Sequence, residues 1–304
     1  MASDEMHAGE RDVDAELARR LVDAQFPDWA AHSIDPVASD GTDNVMFRLG
    51  EDLSLRFPRI GSAAEQIEKE QRWLPELGPR LPLETPVPVA VGEPGEGYPW
   101  RWSVCKWVDG ERATDEHAIG RTRASRDLAD FVAALRRVDT MGGPAPGAHN
   151  FERGVPLAQR DAAVRDALEQ LEGVLDAKAA AAAWEEALGA PAWGGPPVWI
   201  HGDLHPGNLI VRGGLLAGVI DFGGLAVGDP ACDVMAAWTF LAPEARPAFR
   251  DALDVDDATW SRGRGWALSM GLIALPYYRT TNPGFAGEAR RWIDEVLAEC
   301  AGGL

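Results

Sequence analysis

Between Pro196 and Asp233 the chain sets a carboxylate, an amide and a second carboxylate, Asp203, Asn208 and Asp221, in one short pattern. Val198-Trp199-Ile200 reads as a strand, His201-Gly202-Asp203-Leu204-His205-Pro206-Gly207-Asn208 as a polar loop, and Leu209-Ile210-Val211 as a second strand. Arg212-Gly213-Gly214 has the composition of a hairpin turn, so the run Leu215 to Ile220 returns and sets Asp221 beside Asn208. Phosphoryl transfer from a nucleotide needs a carboxylate beside the incoming hydroxyl, oxygen ligands for Mg2+, and a frame holding attacking and leaving oxygens in line. Asp203 suits the first duty, and Asn208 with Asp221 the second.

A rival chemistry uses overlapping residues. His201, Asp203 and His205 alternate, and on a strand they would face one way as the metal triad of a hydrolase. Pro206 and Gly207 break a strand there and leave Asn208 without a duty, which disfavours the triad. The order H-x-D-L-x-x-x-N, hairpin, D-F-G is the catalytic signature of protein kinases, with Gly202 in place of their arginine.

His201 to Asn208, then Val219-Ile220-Asp221-Phe222-Gly223, then Gly228-Asp229-Pro230 with Asp233, resemble the aminoglycoside phosphotransferase family, small-molecule kinases built like protein kinases. The resemblance is dense over residues 198 to 238, thinner elsewhere, and keeps its order along most of the chain. It implies an α+β, two-lobed protein-kinase-like fold. Residues 1–108 would form a small antiparallel-sheet lobe that binds nucleotide and ends in a hinge, and residues 109–304 a larger, mostly helical lobe for catalysis and acceptor binding. It further implies ATP or GTP as donor, Mg2+ on Asn208 and Asp221, Asp203 as base, and His205 where protein kinases often keep a lysine.

The elements that must position these residues follow in chain order. Residues 12–25, with Val13, Leu17 and Leu21 on one stripe, read as an amphipathic helix on the outside of a sheet. The turn-rich loop Ser39 to Asn44 precedes strands Val45–Leu49 and Leu53–Phe57, and in the resembled fold Gly41, Thr42 and Asn44 would meet the phosphates. None of the three lysines, Lys69, Lys106 and Lys178, lies on the second strand, so the resemblance implies Arg56 at the phosphate-binding position, with Arg59 close by as the alternative; a guanidinium can grip phosphate in bidentate fashion. Ser62-Ala63-Ala64-Glu65 reads as a capping box, and Ile67, Glu70 and Leu74 share one helix face. A carboxylate on that face needs a cation, and Arg56 is the candidate. Pro75 is expected to end or break this helix.

The Pro-rich run Leu81 to Pro88 reads as extended connection and Trp100 to Val108 as a strand. Aligned on Asp109-Gly110, the resemblance gives the Lys106 carbonyl and the Val108 N–H to the adenine edge. Leu128 to Val138 mark a helix, Val164, Leu168, Leu171 and Leu175 another, and Ala177–Leu188 a third. Asp229-Pro230 reads as the cap and first residue of a further helix, Asp256 caps one running through Trp260 and Trp266 to Leu275, and Ile293, Val296 and Leu297 mark the last.

The net charge of −19 argues against a nucleic-acid partner and would attract a cationic acceptor. Three widely spaced cysteines argue against a disulfide framework, and no apolar run is long enough to cross a bilayer, so a cytoplasmic protein with no membrane partner is expected. The favoured acceptor is an aminoglycoside-type antibiotic, with Glu288, Asp294 and Glu295 as acids that would meet it. A macrolide, a peptide antibiotic or a metabolite such as choline, homoserine or a pentose are the alternatives, and a nucleotide-binding regulator without turnover is the alternative of another class.

Overall fold

The computed structural model describes residues 11–37, 43–113, 121–140 and 142–302. Helix α1, Ala15–Gln25, opens on Asp14, whose carboxylate accepts from the Leu17 N–H at 2.7 Å. Its buried face, Ala18, Leu21 and Val22, joins Phe47, Leu55, Phe57 and Trp102 in a first apolar core. The strands behind that core are β1 Ile34–Pro36, β2 Asn44–Leu49, β3 Leu53–Pro58, β4 Pro88–Gly92 and β5 Trp102–Lys106, in the sheet order β1-β2-β3-β5-β4. Every pair is antiparallel. The strand β4 comes from the end of the run expected to be connection; Pro88 opens it at the sheet edge, where proline is tolerated.

Between β3 and β4 runs helix α2, Gly61–Leu77. Its N-cap is Ile60 with no side-chain hydrogen bond, so the expected capping box is not made: the helix starts two residues early and takes Ser62 inside its first turn. Pro75 neither ends nor breaks it before Leu77. Proline there forfeits one N–H bond close to the end, while Trp73, Leu74 and Leu77 bury themselves in a second, larger core. Ile67, Glu70 and Leu74 are all buried, as the shared face requires.

The larger core is built by α3 Arg121–Arg136, α4 Asp161–Gln170 and α5 Ala177–Leu188, then α6 Ala231–Val234, α7 Ala236–Thr239, α8 Arg246–Leu253, α9 Asp257–Tyr278 and α10 Pro283–Gly302. α4 stops short of the expected Leu171 and Leu175 because Gly173, at φ +76°, turns the chain. α9 starts on Asp256, whose carboxylate accepts from Thr259 N–H at 2.7 Å. Among these helices lie β6 Glu111–Arg112, β7 Val198–Ile200, β8 Leu209–Arg212, β9 Leu215–Val219 and β10 Ala226–Gly228. β6, β8 and β9 form one small sheet, and β7 pairs with β10. Gly213 and Gly214, at φ +61° and +77°, close the β8–β9 hairpin as its composition demands.

The helix expected from Asp229-Pro230 begins one residue later, at Ala231, whose N–H the Asp229 carboxylate accepts at 2.9 Å. Arg262 of α9 reaches the same buried carboxylate, Nε to Oδ2 at 2.9 Å. Arg262→Met would leave Asp229 buried without its cation, which costs about 3–5 kcal/mol. Urea unfolding should show that loss, and a change below about 1 kcal/mol would mean that Asp229 does not depend on Arg262.

Candidate functional site

The polar loop after β7 is fixed by backbone-directed bonds. Fully buried Asp233 accepts the His201 N–H at 2.9 Å and the Gly202 N–H at 2.8 Å. Thr239 Oγ1 donates to Leu204 O at 2.6 Å. The His201 ring donates through Nε2 to Ile220 O at 3.1 Å and accepts the Asp203 N–H at Nδ1 at 3.2 Å. Burial pushes its pKa down, which keeps the ring neutral. Both ring nitrogens serve the backbone, so His201 has none to give to a metal triad with Asp203 and His205.

The hairpin does what its sequence requires. Leu209 faces Val219, and the Ile220 N–H donates to Asn208 O at 2.9 Å, setting Asn208 and Asp221 at the same end. Asn208 Nδ2 donates to Asp203 O at 3.0 Å and to Asp203 Oδ2 at 3.2 Å, which leaves its amide oxygen as an acceptor. Asp221 stands at φ +61°, accepts the Gly223 N–H at 3.3 Å, and is half exposed. Arg56 of β3 donates Nη1 to Glu70 Oε2 at 2.5 Å and lies 3.4 Å from Asp221 through Nη2. Burial works against the charge on Arg56, but Glu70 and Asp221 outweigh it and raise its pKa; burial holds the Glu70 carboxyl above its ordinary value even against Arg56.

His205 is buried against Phe285 and Trp292, with ring centroids 5.5 Å from each, and its Nδ1 accepts the Gly207 N–H. Its Nε2 lies 3.8 Å from Asp203 Oδ2, and burial drives its pKa down despite that neighbour. Asn44 opens β2 opposite Pro58, and its Oδ1 finds no hydrogen-bond partner among the described residues. Gly41 and Thr42 lie outside the described residues. Lys106 ends β5 with an exposed side chain and its N–H on Val87 O at 3.0 Å, while Val108 is buried beside the β8–β9 hairpin at Gly218.

Two charged residues in the site escaped the sequence reading. Arg153, from the loop before α4, puts Nη1 2.8 Å from Asp203 Oδ1. Burial would raise the Asp203 carboxyl, and Arg153 with His205 overcomes this and holds it below its ordinary value. Lys69, next to Glu70 on α2, donates to Gly223 O at 2.7 Å and lies 3.2 Å from His149 Nδ1. No motif marks either residue; the one signal was the want of a cation at Gly202 and His205. Of the acids expected to meet an acceptor, Glu295 pairs with Arg246, and Asp294 with Arg290 at 2.9 Å. What stands beside His205 instead is aromatic, Phe285 packing on Tyr278 at 4.8 Å, and burial together with the charges of Asp43 and Asp203 raises the Tyr278 pKa.

A sheet-and-helix chain with an arginine–glutamate pair facing a D-F-G turn is a kinase-like phosphotransferase in architecture. The profile of the phosphotransferase enzyme family, APH, matches residues 34–266, and the chain belongs to that family, as a small-molecule kinase acting on a hydroxyl. Among solved structures, a GDP complex of aminoglycoside 2'-phosphotransferase-IIIa matches with a TM-score of 0.73 and 21% identity, over 95% of this chain and 99% of that one. An ADP-bound aminoglycoside phosphotransferase matches at 0.59 and 19%, over 93% and 98%. A macrolide 2'-phosphotransferase from Brachybacterium faecium matches at 0.60 and 21%, over 91% and 98%. No curated protein matches the chain. The fold is therefore the α+β kinase-like one that the catalytic stretch implied. No helix among the described residues is long and apolar enough to cross a membrane.

Lys69 gives a pH signature. Burial, against the pull of Glu70, brings its amine from the usual 10.5 to about 8. Between those values the unfolded chain holds a proton that the folded chain has released, so stability rises with pH there. The unfolding free energy of the wild type relative to Lys69→Met should therefore increase between about pH 8 and 10.5. Urea titrations across that window check it, and a flat difference would mean that the amine titrates as it does in water.

Proposed function

We propose that this chain transfers the γ-phosphoryl group of ATP or GTP to a hydroxyl of a small molecule, with the nucleotide held between residues up to Val108 and the helical remainder. The observation that carries this reading is that the hairpin sets Asn208, bonded to Asp203, beside Asp221, which in turn faces the Arg56–Glu70 pair. Asp203 receives the hydroxyl proton. The acceptor oxygen then bonds to the γ-phosphorus, and the bridging oxygen leaves with its electron pair as nucleoside diphosphate. Arg56, steadied by Glu70, grips the donor phosphates.

Asn208 and Asp221 fit Mg2+. An amide oxygen and a half-exposed carboxylate are hard donors, and this ion takes one or two protein oxygens and completes its shell with phosphates and water. When bound there it would neutralise charge on the β- and γ-phosphates.

For the acceptor, two readings have support. The net charge of −19 favours a cation of the aminoglycoside kind, such as the kanamycin and gentamicin found in two similar structures. The partly buried rings of Phe285, which packs on His205, and Tyr278, which packs on Phe285, with Asp294 and Glu295 already paired, favour an acceptor with an apolar face, of the macrolide kind. Side by side, kcat/KM for kanamycin, gentamicin and a macrolide at saturating nucleotide separates them. A polycation preferred and weakened by salt supports the first reading, and a salt-insensitive preference for the macrolide supports the second.

The roles of the two aspartates are separable. Asp203→Asn should keep Mg-nucleotide binding and lose turnover by roughly 10^2 to 10^4, the usual general-base contribution. Asp221→Asn should lose binding and turnover together, with part restored by extra Mg2+. Calorimetry of Mg-ATP on both variants decides, since binding lost on Asp203→Asn but kept on Asp221→Asn would reverse the assignment.

A further inference from the structure

Arg153 reaches the site from outside the catalytic stretch, and the fold makes a slot for it. Its guanidinium meets Asp203 with the two side chains only 13% and 19% exposed. At Gly202, φ +81°, a Cβ would lie 2.7 Å from Gly224 O and 3.3 Å from Arg153 Cβ; at Gly224 a Cβ would lie 3.3 Å from Arg153 Nη1. Gly202 is the position where protein kinases carry an arginine. One side chain missing from the loop thus opens space for a guanidinium delivered by another segment.

The delivering segment is held firmly. Fully buried Asn150 donates Nδ2 to Arg153 O at 2.8 Å and to Gly224 O at 3.2 Å, and accepts the Gly147 N–H at 2.9 Å. The Asp229 N–H donates to Gly154 O at 2.9 Å. Phe151 and Glu152 are both kept at positive φ, 56° and 57°, a conformation that persists in such residues only when the surroundings fix it. The other cations nearby are committed, Arg56 to Glu70 and Lys69 to Gly223 O.

We propose that Arg153 is a positioning residue for the phosphoryl transfer: by holding Oδ1 of Asp203 it turns Oδ2 toward the acceptor hydroxyl and balances the carboxylate's charge beside the anionic donor. This rests on the kinase reading above. Arg153 keeps its protons throughout and touches none of the reacting atoms. It takes over, from a different part of the chain, the cationic duty that His205 is too buried to perform and Gly202 has no side chain for.

The test compares Arg153→Met, Arg153→Gln, Arg153→Lys and Arg153→Ala with the wild type in Mg-ATP calorimetry, thermal unfolding and turnover on the best acceptor among kanamycin, gentamicin and a macrolide. Arg153→Met should lower kcat by about 10^2 while KM for Mg-ATP changes by less than about threefold, and Arg153→Lys should recover about a tenth or more of wild-type kcat. Millimolar methylguanidinium should restore turnover to Arg153→Ala in a saturable way, which a scaffold role would not allow. Arg153→Gln, which refills the slot without the charge, decides the matter where the Met variant does not fold. Wild-type kcat in the Gln variant overturns the positioning role and leaves the kinase reading standing. So does a kcat loss relieved by neither lysine nor methylguanidinium. Wild-type protein that binds no Mg-ATP overturns both.

Discussion

The buried carboxylate of Asp233 sets the terms for everything around it. A carboxyl group taken out of water needs its hydrogen bonds inside the protein, and two successive backbone N–H groups, those of His201 and Gly202, supply them. For both to point at one carboxylate the chain must turn sharply, and Gly202 does so at φ +81°. That turn aims the next residue, Asp203, out of the core and toward Arg153. The His201 ring, buried beneath, bonds Ile220 O and so ties the loop to the far end of the β8–β9 hairpin. Asn208 and Asp221 are then neighbours because one hairpin and one imidazole fix the distance between their backbones.

What the sequence made legible was the part written in local patterns. The hairpin could be read from Gly213-Gly214, the helix over Ala177–Leu188 from its composition and its stop, and the Arg56–Glu70 pair from a carboxylate on an apolar face that had to find a cation. Contacts between segments with no pattern of their own were not legible. Arg153 lies in an irregular loop, and only the missing cation at Gly202 hinted that one would arrive from elsewhere. Boundaries shifted where tertiary burial outweighed local signals: α2 ran past Pro75 because Leu77 fills the larger core, and α4 stopped early because Gly173 turns away. The ion pairs of α10 were not legible either, because a helix face shows charge but not which arginine stands opposite; Arg246 of α8 takes Glu295.

The two cores are joined near the site by polar bonds of unequal strength. Arg56 to Asp221, at 3.4 Å with Asp221 half exposed, is screened by water and contributes at most about 1 kcal/mol. Arg56 to Glu70, shorter and shut away from solvent, cannot be broken without stranding a buried charge, and it lies within one side of the crossing. Lys69 to Gly223 O carries more of the crossing, but that amine already sits near the pH at which it loses its charge. On the proposed reading, a donor phosphate arriving between Arg56 and Asp221 would displace the weakest of these bonds and leave the strongest intact. The guanidinium stays oriented by Glu70 while its second Nη is free to change partner, so little of the binding energy goes into ordering the cation.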